Sequence, residues 1–198
     1  ALRLTGQGTR KRSATDAMTI KLEGVLAPLP SPVTPNGEIN VKAVEHLVEF
    51  LIRGGIAGLI PVGGVGEYTA LSPAGRARMV EATVVAARGR VPVIAGVVST
   101  SLHEAVDAGS AFKDLGADAL LVVPPFYQTP TMAGVRQYFS TYRKRVDLPL
   151  VLYDSPQHTH LVIDPATLGA MVDEGSLDAL KASNRDLDHF NRTVHAIK

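Results

Sequence analysis

Leu148-Pro149-Leu150-Val151-Leu152-Tyr153 and Leu177-Asp178-Ala179-Leu180-Lys181-Ala182 are two short, largely apolar runs separated by one helical stretch. Runs of this length without regular polar alternation read as strands of a parallel sheet covered on both faces. Gly24 to Val33, Gly58 to Val62, Val91 to Val97 and Ala119 to Val123 are of the same kind. Between them lie amphipathic segments. Val41 to Arg53 carries Val44, Leu47, Val48 and Leu51 at helical spacing behind Asn40, a suitable N-cap. Ser72-Pro73 supplies a cap and a first-turn proline for a helix reaching about Arg88. Ser101 to Leu115, Met132 to Val146, Pro165 to Glu174 and Asp186 to Lys198 continue the pattern, giving about six strand-helix units.

Right-handed crossovers between parallel strands leave two main architectures, a closed barrel and an open doubly wound sheet. The barrel is favoured by where reactive residue types fall. Gly63-Gly64, Ser99, Tyr127, Tyr153 and Lys181 all stand at or just beyond strand carboxyl ends, where barrel active sites form, whereas an open sheet gathers its site at one switch point. The expected fold is therefore α/β, a TIM (β/α)8-type barrel with about six of its eight units in this chain. Residues 24–198 form this incomplete barrel domain. Residues 1–23, with Lys11, Arg12 and no sustained periodicity, read as a flexible leader or an expression-derived extension.

Composition narrows the chemistry. A net charge of +1 on 198 residues offers no basic surface for nucleic acid. No apolar stretch approaches the roughly 20 residues needed to span a bilayer, and a cytoplasmic location is expected. With no cysteine, thiol catalysis, disulfides and thiolate metal sites are excluded.

Lys181 is the only lysine in an apolar strand-like run, and Tyr153 stands at the matching place of the other run. An ammonium cannot attack a carbonyl; a lysine shielded from water by Leu180 and Ala182 would more readily offer the neutral amine. A nearby phenol could move protons during imine formation. The bland readings are a lysine that snorkels to solvent and a core tyrosine bonded to backbone. Gly63-Gly64-Val65-Gly66-Glu67 could hold an anion on backbone N–H groups, although a tight turn alone also explains it. It matches neither a dinucleotide fingerprint nor a phosphate loop.

Asn36-Gly37-Glu38-Ile39-Asn40, Gly63 to Glu67, Pro92-Val93-Ile94-Ala95-Gly96-Val97, Leu115-Gly116-Ala117-Asp118-Ala119 and Tyr153-Asp154-Ser155-Pro156, in this order and spacing, resemble the dihydrodipicolinate synthase / N-acetylneuraminate lyase family. The similarity runs from residue 24 to 198. It implies an eight-stranded barrel in a homotetramer, a dimer of dimers, and a lysine that forms a Schiff base with pyruvate or a related 2-oxo acid. It also implies no metal and no organic cofactor. Under that resemblance Lys181 is the imine lysine, Tyr153 the proton shuttle, and Tyr127 a tyrosine that can reach across a subunit interface. Glu67 closes the glycine-rich motif in a structural role.

Three departures bear on substrate. Gly64 and Val65 replace two hydroxyl residues common in the family, so a substrate carboxylate would rely on backbone donors there. The threonine of the usual proton relay is then absent, and a water or Ser99 would have to bridge Tyr127 and Tyr153. His158 stands where the synthases carry an arginine, which offers a permanently charged fork that histidine lacks. This argues against aspartate-semialdehyde as acceptor and for a sugar-acid aldolase or dehydratase. His158 and His160 alternate across Thr159, but no third metal ligand is visible. The expected function is a Schiff-base-forming lyase or aldolase acting on pyruvate or a 2-oxo sugar acid, possessing catalytic Lys181, Tyr153 and Tyr127 and substrate-binding Gly64, Val65 and His158. The competing expectation is a barrel that has lost catalysis and serves as a binding or assembly protein. A flavin- or phosphate-binding barrel is a weaker third. Since barrels of this type run to about 250 residues or more, the chain is expected to be a fragment of a longer protein.

Overall fold

A computed structural model describes residues 22–197. The leader expected over residues 1–23 falls almost wholly outside them. The strands are β1 (Leu26–Pro28), β2 (Gly58–Ile60), β3 (Ile94–Val97), β4 (Ala119–Val122), β5 (Leu150–Asp154) and β6 (Ala179–Ala182). All pairings between them are parallel. The pair β1-β2 joins β3-β4-β5-β6 through a bridge between Leu59 and Val93 and the bond from Gly96 N–H to the Pro61 carbonyl, so the wall follows chain order. Between strands run α1 (Val41–Arg53), α2 (Pro73–Ala87), α3 (Leu102–Asp114) and α4 (Met132–Val146). The short α5 (Pro156–Thr159) and then α6 (Pro165–Asp173) link β5 to β6, and α7 (Leu187–Ala196) follows β6.

The helices start where their caps place them. Asn40, Ser72, Ser101, Thr131, Asp164 and Asp186 each accept an otherwise orphaned first-turn N–H with the side chain. The long apolar run from Gly24 behaves differently from expectation. Only Leu26–Pro28 is a strand, because Pro30 and Pro32 have no N–H to donate, and the chain then turns back through Gly37 at φ 81° to pair Val33 with Ile39.

Side chains alternate across each strand and sort into two layers. Ala95, Val97, Leu120, Val122, Leu150 and Leu152 face the helices and form the large core with Phe112, Phe139 and Tyr142. Ile60, Ile94, Ala119, Leu121 and Val151 face the other way and fill the barrel interior, with Tyr153 and Ala179 packed against them. A parallel wall with helices outside and a packed interior is a barrel wall rather than an open doubly wound sheet. Its edges among the described residues are β1 and β6.

Two aspartates set the floor of this wall. Asp118 accepts the Val93 N–H at 2.9 Å, and Asp178 accepts the Leu150 N–H at 2.7 Å. Arg143 secures Asp178 with a 2.6 Å bond while donating to the Leu148 carbonyl at 2.8 Å.

Candidate active site

Period-two alternation decides which β5 and β6 side chains reach the interior. On β5, Val151 and Tyr153 point inward; on β6, Ala179 and Lys181 do. The register pairs Tyr153 with Lys181 directly, and the lysine Nζ lies over the tyrosine ring, 4.1 Å from its centroid. The burial expected for Lys181 is only half realised. It is partly buried and Ala182 is exposed, because β6 is an edge strand with no described neighbour on its far side.

The glycine-rich turn enters from β2. Gly64 and Val65 are exposed while Gly63 and Gly66 are buried, and among the described residues the N–H groups of Gly64 and Val65 have no acceptor. Gly96 on β3 must be glycine, since a Cβ there would lie 2.6 Å from the Gly63 Cα and 2.7 Å from its nitrogen. Thus the turn lies directly against the inward face of β3. Glu67 follows in the left-handed conformation at φ 54° and begins a 3-10 turn, Tyr68–Ala70.

Tyr127, in the loop after β4, is 82% exposed and reaches none of these groups. His158 is exposed on α5, its Nδ1 paired with the Ser155 hydroxyl at 2.7 Å, and His160 is the left-handed residue that ends that helix. Among the described residues no three His, Asp or Glu side chains converge as metal ligands. Ser99, considered as a bridge between Tyr127 and Tyr153, is committed elsewhere. Its hydroxyl donates to Glu104 at 2.8 Å and accepts the Ser101 N–H at 3.1 Å, because the loop after β3 folds it toward α3.

Sequence reasoning named the acidic residue next to Tyr153 only as part of a motif and gave it no role. Asp154 points to the helix side of β5, 2% exposed, with one carboxylate oxygen buried and unpartnered. Burial pushes its carboxyl above the usual aspartate range, against the pull of His189, which is buried on α7 and bonded through Nε2 to the Ile163 carbonyl. The strand parity that points Tyr153 inward is the signal that would have found it.

The model of the dihydrodipicolinate synthetase family matches residues 21–198. The chain belongs to this family. It is 34% identical over 172 residues to the 4-hydroxy-tetrahydrodipicolinate synthase of Methanocaldococcus jannaschii, covering 85% of this chain and 60% of that relative. It superposes on the pyruvate-complexed, chloride-inhibited dihydrodipicolinate synthase of Acinetobacter baumannii with a TM-score of 0.84 at 30% identity, covering 88% of this chain and 60% of that one. YagE, a prophage protein of the same family from E. coli K12 in complex with pyruvate, gives a TM-score of 0.86 at 25% identity, covering 90% and 60%. The chain therefore spans about 60% of the length of these relatives. Family membership agrees with the barrel fold and with the motif order from Asn36 to Pro156.

Proposed function

We propose that the protein is a Schiff-base-forming lyase or aldolase acting on pyruvate or a related 2-oxo acid, its covalent chemistry carried by Lys181 without a metal or organic cofactor. One observation carries the reading: Nζ of Lys181 lies 4.1 Å from the centroid of the Tyr153 ring, both on the inner face at strand carboxyl ends. In this mechanism the neutral amine attacks the keto carbon, forming the C–N bond as the carbonyl oxygen takes a proton. Loss of that oxygen as water, with Tyr153 supplying the proton, leaves a protonated imine. The protonated imine draws electrons from the adjacent carbon, so a proton lost from that carbon to the Tyr153 oxygen leaves an enamine that can add to an aldehyde; in the other direction a C–C bond breaks and its electron pair leaves the same enamine. Hydrolysis returns the lysine.

The N–H groups of the exposed Gly64 and Val65 are the proposed carboxylate donors, consistent with their lack of acceptors among the described residues. Tyr127, 82% exposed, is proposed to serve the site of a second copy in a dimer of dimers. His158 keeps Nε2 for a substrate hydroxyl or second carboxylate, since Nδ1 is taken by Ser155. A single donor without a permanent charge suits a 2-oxo sugar acid better than an acceptor needing a charged fork, whereas the synthase names of the relatives favour a dihydrodipicolinate-type condensation. The juxtaposed lysine and tyrosine weigh against a barrel that has lost catalysis. A cytoplasmic setting belongs to the proposal; no helix among the described residues is long and apolar enough to cross a membrane.

The experiment is borohydride trapping on the whole protein with pyruvate and a panel of longer 2-oxo acids, read by intact-mass and peptide mass spectrometry. A substrate-sized adduct on Lys181, absent from Lys181→Ala, supports the imine mechanism. Absence of an adduct with every acid overturns it.

A further inference from the structure

The turn between β2 and α2 holds a conformation that its own sequence does not favour. Val62, a β-branched residue, stands at φ 49°, and Glu67 at φ 54°. A branched side chain in the left-handed region is strained, and such a state persists only where its surroundings impose it. Packing supplies one part. A Cβ on Gly66 would lie 2.7 Å from the Val62 nitrogen and 3.0 Å from the Leu29 carbonyl oxygen, and the Ser31 hydroxyl donates to the Gly66 carbonyl at 2.7 Å.

The other part is a charged chain of contacts at the exit of the turn. Arg76 donates Nε–H to the Tyr68 carbonyl at 2.9 Å, and its guanidinium carbon lies 3.8 Å from the Tyr68 ring centroid. Its Nη1 donates to Glu104 on α3 at 3.0 Å, and the second Glu104 oxygen accepts the Ser99 hydroxyl at 2.8 Å. Ser99 stands just beyond β3, the strand whose Gly96 abuts Gly63. One guanidinium therefore ties the turn to the loop of the neighbouring strand. The Arg76 side chain is 12% exposed, so its bonds are sheltered from water on the arginine side. Helix stability does not account for its position, because a cation in the first turn of α2 opposes the helix dipole.

We infer that Arg76, backed by Glu104 and Ser99, is a positioning residue that locks the Gly63–Glu67 turn so that the Gly64 and Val65 N–H groups stay in place for the carboxylate of a 2-oxo acid. The inference rests on the role proposed above for that turn. Arg76 touches no substrate; it acts through Tyr68 and the backbone it holds.

The test compares Arg76→Met, Arg76→Lys and Ser99→Ala with the wild type in the whole protein. Amide hydrogen exchange reads the turn without substrate, and borohydride trapping at graded pyruvate concentrations reads the site. Arg76→Met is expected to speed exchange over residues 62–68 and to raise the pyruvate concentration for half-maximal trapping, each about tenfold, with the trapped fraction at saturation unchanged. Arg76→Lys keeps the charge but loses the planar fork, and recovers only part of both readings. Ser99→Ala, the mildest change, shifts both in the same direction by less.

Unchanged exchange over 62–68 in all three variants overturns the inference. So does exchange that rises evenly along the chain with a lowered unfolding temperature, which marks a merely structural role. If Arg76→Met does not fold, the other two variants decide by the same readings. A wild type that traps no 2-oxo acid overturns the proposed function, and exchange alone then decides whether Arg76 holds the turn.

Discussion

Tyr153 and Lys181 are cross-strand partners on the inner face of a parallel pair, and the lysine nitrogen rests over the tyrosine ring, 4.1 Å from its centroid. A cation or amine over an aromatic face is attracted by the ring and restrained in direction. Tyr153→Phe keeps that face and deletes only the hydroxyl. The expected result is a Lys181 adduct that still forms but accumulates roughly a hundredfold more slowly, since positioned proton transfer contributes about that much or more. Stopped-flow or quench-flow trapping measures it; an unchanged rate would remove Tyr153 from the proton path.

Asp178 joins the two strands from below. Replacing it with Ala leaves the N–H of fully buried Leu150 without its acceptor and Arg143 without its carboxylate. Loss of about 1–3 kcal/mol is expected, chiefly from the unpaired N–H, because the partly exposed ion pair is screened. Urea unfolding measures it, and Asp178→Asn, which keeps an acceptor oxygen, is expected to recover part of the loss.

Asp154 gives a pH-dependent effect of opposite character. Burial raises its carboxyl in the folded state, so the folded protein holds that proton more tightly than the unfolded chain does. Its contribution to stability therefore falls as pH rises from the ordinary aspartate range through the raised value. Asp154→Asn carries no charge to bury and is expected to raise the unfolding temperature at pH 7, with the gain shrinking toward pH 4. Thermal unfolding across that range checks the sign; a gain that grows on acidification contradicts the burial argument.

Gly96→Ala drives a methyl group into the backbone of Gly63 and the Val62 carbonyl, where the closest approach would be 2.6 Å. Backbone cannot swing aside as a side-chain tip can. Destabilisation of about 1–3 kcal/mol is expected, and it is expected to weaken pyruvate trapping as well because the displaced atoms belong to the glycine-rich turn.

From residue 41 onward the order of the strands and long helices was legible because period and punctuation agreed, while the short turns Tyr68–Ala70 and Pro156–Thr159 were not. Asn40 and Ser72 accept the expected first-turn N–H groups, and the runs ending at Tyr153 and Lys181 pair as parallel strands. Between Gly24 and Val33 apolar composition suggested more strand than Pro30 and Pro32 permit. The candidate site was readable as a set of residue types at strand ends, but the distances between them were not. Lys181 reads as shielded from its neighbours in sequence, yet exposure at an edge depends on which strand stands alongside. Ser99 looked like a free hydroxyl until the fold brought Glu104 to it. The left-handed Val62 left no sign at all, since nothing in a valine announces the torsion forced on it by packing.

The floor of the wall acts as a ruler for the Tyr153–Lys181 pair above it. Asp178 and Leu150 exchange bonds, Asp178 N–H to the Leu150 carbonyl at 2.9 Å and Leu150 N–H to the Asp178 carboxylate at 2.7 Å, so both strands are measured from a common zero. Lys181 and Tyr153 are each three residues further on. At about 3.3 Å per residue, amine and phenol arrive level at roughly 10 Å above that origin. One residue inserted into either strand would offset their heights and turn one of the two away from the lumen. The spacing of the Lys181–Tyr153 pair is thus written as a count of residues, and it is zeroed by a carboxylate three residues below it.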